Sequence, residues 1–226
     1  MEDHIMKHLL LVISAAFLIF SCSKNGEEEA FTRYHEDGRA KPVVAVVSVI
    51  DSTSYDLSWS LSDELTTLIR SKLSQRRSLY VSPKEDVDQY ISYSNDPFDP
   101  DISWMNKDFG SYEFIVFIEL LDHKNISEQD PEKVFYSPNY QNDSTNLIEK
   151  ARIRVVDVRG KKPHIILQET LNDSYFISKN QLRTNYNIDT WITNSYRSTP
   201  LSLAHNQMTK KITERIEDYI MLAKSR

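Results

Sequence analysis

The sequence predicts an α/β (α+β) domain, a mixed sheet of about five strands with helices packed on it, in the order β-α-β-α-β-β-β-α. Three observations carry this. Val43-Val44-Ala45-Val46-Val47-Ser48-Val49-Ile50 is a nearly continuous β-branched run of strand length, the pattern of a strand buried on both faces. Leu201, Ala204, Met208, Ile212, Ile216, Tyr219 and Ile220 recur at helical spacing and trace one face of a long closing helix. Between them, Tyr112 to Leu121 and Leu147 to Val158 have the composition of strands and are expected to be antiparallel neighbours.

The remaining elements follow in order. The run at 43–50 should be a central strand, ended by Asp51-Ser52-Thr53-Ser54. Ser60-x-x-Asp63 resembles a capping box, and Leu61, Leu65, Leu68, Ile69 and Leu73 continue it as a helix to about Gln75. Leu79-Tyr80-Val81 reads as a short strand. Pro83 suits the first turn of a second helix, with Val87, Tyr90 and Ile91 on its inner face and an end near Ser94. Asn95-Asp96-Pro97-Phe98-Asp99-Pro100-Asp101 is a loop whose two prolines forbid regular pairing, with a short helix after it. Val158 to Pro163 is a hairpin connection into Ile165-Ile166-Leu167, a strand that continues to Tyr175–Ile177. Pro200 or Ser202 opens the closing helix.

Ahead of the domain, residues 1–21 read as a signal peptide. The apolar run from Leu9 to Phe20 is broken only by Ser14; at about a dozen residues it is short of the roughly 20 that a membrane-spanning helix needs. Glu2 and Asp3 sit badly in such a segment, and Met6-Lys7-His8 makes the better start. The one cysteine of the chain, Cys22, stands where the run ends, and Ile19-Phe20-Ser21-Cys22 resembles the bacterial lipobox. That resemblance implies an acylated Cys22 (diacylglyceryl thioether, with palmitate-type chains) and cleavage just before it. With Ser23 following, it also implies sorting to the outer membrane facing the periplasm. Residues 22–40, polar and acidic, are expected to be a flexible tether, and residues 41–226 a single periplasmic α/β domain.

The stretch from Val43 to Ile91, with its apolar strand, the Asp51-Ser52-Thr53 step and the Leu-rich helix, resembles the opening of a domain shared by three groups. These are the lipoprotein activators of penicillin-binding proteins, the curli secretion lipoprotein and the amino-terminal domain of the Tol translocation protein. The element order carries the likeness to about Lys224. With its lipobox the chain also resembles an uncharacterised lipoprotein family of obligate intracellular bacteria. The resemblance implies an envelope lipoprotein acting as a non-catalytic interaction or activator module. The alternatives are a component of an envelope transport or secretion assembly, and a hydrolase with a spatially assembled site.

Composition narrows the chemistry. With 27 basic against 33 acidic side chains and a net charge of -6, no nucleic-acid partner is expected, because that affinity comes from Lys and Arg neutralising phosphates. Four glycines leave no Walker loop or dinucleotide fingerprint. One cysteine excludes multi-cysteine metal sites, and His35, His123, His164 and His205 are too far apart in sequence for a helical ligand pair. No catalytic residue, metal or cofactor is therefore assigned, and the chain is read as a non-enzyme. Its partners are expected to be the membrane, through the acyl chains on Cys22, and an envelope protein. Two long polar segments carry candidate anchors for that protein: Phe135, Tyr136 and Tyr140 in one, Tyr186, Trp191 and Tyr196 in the other, since aromatics dominate interface hot spots; the alternative is that these rings fold back as satellite clusters over the sheet edges. Arg70, Lys72, Arg76 and Arg77 form a basic cluster suited to the end of their helix; the alternative is that it binds anionic headgroups or cell-wall polymers.

Overall fold

The computed structural model describes residues 33–90, 95–127, 145–178 and 190–226. The chain divides into two units, Met1–Lys41 and Pro42–Arg226. In the first, residues 33–41 close on themselves, and the rest of the expected tether and the signal segment lie outside the described residues. Tyr34 and Ala40 form an antiparallel bridge, and Gly38, at φ 81, supplies the left-handed residue of the turn. The Asp37 carboxylate accepts hydrogen bonds from the Arg39 backbone and Nε.

The second unit is the mixed α/β domain that the periodicity predicts. Its elements are β1 (Val43–Val46), β2 (Ile50–Asp51), α1 (Leu61–Gln75), β3 (Tyr80–Val81), α2 (Lys84–Asp88), α3 (Met105–Asp108), β4 (Phe114–Ser127), β5 (Thr145–Asp157), β6 (His164–Ile177) and α4 (Pro200–Lys224). The six strands form one sheet in the order β3-β1-β4-β5-β6, with β2 also on β4. β1 runs parallel to β3 and β4, whereas β4, β5 and β6 are antiparallel.

The sheet is buried on both faces around β1, as its unbroken apolar run requires. Val44 and Val46 join Leu65, Ile69, Met208 and Ile212 in a core under α1 and α4. Ala45 and Val47 face the opposite layer with Met105, Phe109 and Phe117. A smaller cluster of Leu147, Ile177, Tyr196, Leu201 and Ala204 closes one end.

The predicted cap of α1 is present, the Ser60 side chain accepting from Asp63 N; α4 begins at Pro200 and is capped by Thr199, whose side chain accepts from Ser202 N. Four boundaries differ from the expectation. The run at 43–50 is interrupted at 47–49, which raises the strand count to six. The second helix is only Lys84–Asp88, with Val87 buried but Tyr90 39% exposed; Ile91 and Ser94 lie outside the described residues. β4 continues past Leu121 to Ser127, and β6 begins at His164.

Candidate functional site

A buried polar cluster lies where β4, β5, α1 and α4 meet. Its members are His123 (3% exposed), Glu149 (1%), Glu64 (1%) and His205 (0%). Each is placed by an identifiable local device. Glu64 and His205 fall inside the apolar stripes of their helices, Glu64 among Leu61 and Leu65 and His205 between Ala204 and Met208. Glu149 is on the face of β5 that also carries Leu147, Ala151 and Ile153.

His123 arrives by a β-bulge. In β4 the even residues Phe114, Val116, Ile118 and Leu120 face α1 and α4, so strict alternation would turn residue 123 to the other side. The ladder slips between Leu120 and Asp122, and beyond it His123 stands opposite Glu149. Re-aiming a side chain is a common use of a bulge.

The Nδ1–H of His205 donates to Glu64 Oε1 at 2.7 Å. The same carboxylate accepts from Tyr196 OH and from Trp59 Nε1, both at 2.8 Å. On its other side His205 Nε2 lies 2.9 Å from His123 Nε2, and Glu149 Oε1 is 3.4 Å from His205 Nε2 and 3.6 Å from His123 Nε2. Among the described residues, neither oxygen of Glu149 has a hydrogen-bond partner.

Charge follows environment. Burial presses the His205 pKa down, but the hydrogen bond to Glu64 and that carboxylate's charge outweigh it and leave His205 raised. Burial likewise favours a neutral Glu64, yet His205, Trp59 and Tyr196 hold its pKa low. His123, with burial against it and His205 beside it, falls to about 3, and burial pushes Glu149 up to about 7.

The ligand atoms of His123, Glu149 and His205 lie within 4.8 Å of one another and could hold a metal ion. Being closed to solvent, the cluster can orient groups, hold protons or bind an ion, but it offers no face to a substrate. Sequence spacing gave no sign of it, because its members come from four elements. The usable signal was local: an acid and a histidine at core positions of two amphipathic helices, where uncompensated polar groups are costly.

The predicted site residues fall differently. Cys22, Phe135, Tyr136, Tyr140 and Tyr186 lie outside the described residues. Tyr196 is 2% exposed, in the end core cluster, and its hydroxyl donates to Glu64, as the fold-back alternative has it. Trp191 packs half-buried against that same cluster. The basic cluster largely turns inward, with Arg70 donating to the carbonyls of Val46 and Ser82, Arg76 paired with Glu214 and Glu217 and Lys72 bonded to Asn206.

A family's sequence pattern matches residues 30–224, nearly the whole of this architecture. The chain belongs to DUF7499, a family of unknown function. No curated protein matches this DUF7499 chain. Among solved structures it is similar to a hypothetical protein from Chlamydia trachomatis, with 25% identity and a TM-score of 0.61 over 80% of this chain and 98% of that one. A lipoprotein from Neisseria meningitidis has 16% identity and a TM-score of 0.40 over 75% of this chain and 99% of that one, a likeness too low to carry weight.

Proposed function

We propose that this chain is a bacterial envelope lipoprotein, anchored through Cys22, whose domain acts as a non-catalytic interaction module close to its membrane. The observation that carries the reading is Ile19-Phe20-Ser21-Cys22 at the end of the apolar run Leu9 to Phe20. Two or three acyl chains give stable attachment where one is marginal, at about 0.8 kcal/mol per buried CH₂. The resemblance to the activator, curli and Tol group supports the module role. The closure of the His/Glu cluster supports it too, since a hydrolytic centre must admit its substrate.

Replacing Cys22 by Ala tests the anchor. The variant is expected to lose radiolabelled palmitate and to leave the membrane fraction while its domain stays folded by circular dichroism. Retention in the membrane without label would sink the anchoring reading. Crosslinking in intact envelopes, followed by capture of the acylated protein, is expected to yield an envelope protein in stoichiometric amount.

A further inference from the structure

We propose that His123, Glu149 and His205 form a closed site for one divalent transition-metal ion, zinc by its donor chemistry, which pins α4 to β4 and β5.

The geometry is that of a ligand face. Tetrahedral zinc with bonds of about 2.0–2.1 Å places its ligands about 3.3–3.4 Å apart. The three edges here are 2.9, 3.4 and 3.6 Å. The point equidistant from the three atoms is ~1.9 Å from each, so an ion slightly out of their plane reaches tetrahedral bond lengths to all three.

A second observation points to a ligand independently of that triangle. Glu149 is 1% exposed, and both of its carboxylate oxygens lack a hydrogen-bond partner among the described residues. A buried carboxylate with no donor is costly, and a cation at the centre of the triangle would satisfy it.

While the buried Nδ1 of His123 has no hydrogen-bond partner among the described residues, the surroundings of His205 match what a metal-bound histidine requires. Such a histidine usually donates its second ring N–H to a carboxylate, which fixes the tautomer and aims the free lone pair at the ion. Glu64 does this for His205, and Trp59 and Tyr196 fix Glu64 in turn. Two imidazoles and one carboxylate suit zinc better than the oxygen-seeking magnesium or calcium, and the fourth position falls to water. Bound there, the ion would join the main core under α4 to the end cluster of Leu147, Tyr196 and Leu201. The inference is independent of anchoring, because no part of it involves Cys22.

The full chain, purified in detergent and stripped with a chelator, is reloaded with zinc alone. One zinc per chain is expected by elemental analysis, with a melting temperature raised by roughly 5–10 °C at a hundredfold excess over Kd. Cobalt(II) in its place should give a visible band of tetrahedral intensity that zinc competes away. Glu149→Gln should keep the fold, because the amide has nearly the volume of the carboxylate and carries no charge to bury, yet lose both the stoichiometric uptake and the temperature rise. His164→Ala, at an exposed histidine, should retain both. Failure of the parent chain to take up one zinc, uptake without a rise in melting temperature, or uptake that survives Glu149→Gln overturns the proposal.

Discussion

Arg154 shows how one side chain can hold a segment that has no ladder of its own. It is 3% exposed in the middle of β5, and its guanidinium donates to the carbonyls of Pro97 and Asp99 at 2.8 and 2.6 Å, to that of Phe98 at 2.9 Å and to Gln168 Oε1 at 2.8 Å. The prolines that exclude the 95–101 loop from the sheet leave carbonyls in need of donors, and Arg brings five in a rigid fork. Lysine's compact ammonium cannot span them. Arg154→Lys is therefore expected to cost about 2–3 kcal/mol in urea unfolding and to speed amide exchange around residues 98–101; a loss below about 0.5 kcal/mol would show the loop to be held by other contacts. Nothing in the sequence marks this arginine. It follows Ile153 in an alternating strand, and only the fold reveals that the opposite face is covered by a turn made of carbonyls.

At the scale of elements, the break between β1 and β2 belongs to α1 as much as to the strand. Val49 is buried, yet its N–H leaves the ladder to bond Thr66 Oγ1 at 2.8 Å, while its carbonyl accepts from Ser62 Oγ at 2.5 Å. Thr66 also donates to Ser62 O at 2.5 Å. Thr66→Val keeps the volume and leaves the Val49 N–H buried without a partner, at an expected cost of about 1–3 kcal/mol; a Ser replacement, which retains the hydroxyl, should recover part of it. Equal stability of the Val and Ser variants would refute the bond's importance. The apolar run at 43–50 correctly indicated a central, doubly buried element, Ser60 correctly marked the start of α1, and of the two starts open for α4, Pro200 and Ser202, the helix takes Pro200. The interruption was not readable, because hydrophobic pattern reports burial and not which backbone groups pair. The same limit hid His123: alternation reads faces correctly until a bulge adds one residue, and the extra Leu121 reverses every face after it.

Across the whole molecule, order and class were legible because they rest on long periodic segments. The His/Glu cluster was not, since it gathers residues 64, 123, 149 and 205 from elements whose relative placement only the sheet topology fixes. That topology also predicts where stability resides. Every buried hydrophobic side chain among the described residues lies between Val44 and Ile220, and the three core clusters are built wholly within Pro42–Arg226. Burial of apolar area is the main favourable term in folding, so the preceding residues should add little to it. A chain beginning at Lys41 is expected to unfold in one cooperative urea transition, within about 0.5 kcal/mol of the full chain at equal metal loading. Broad unfolding, or a loss of several kcal/mol, would mean that residues before Lys41 complete the core. Equality would instead assign them to attachment, and would make the domain and its anchor separable in any assay of partner capture.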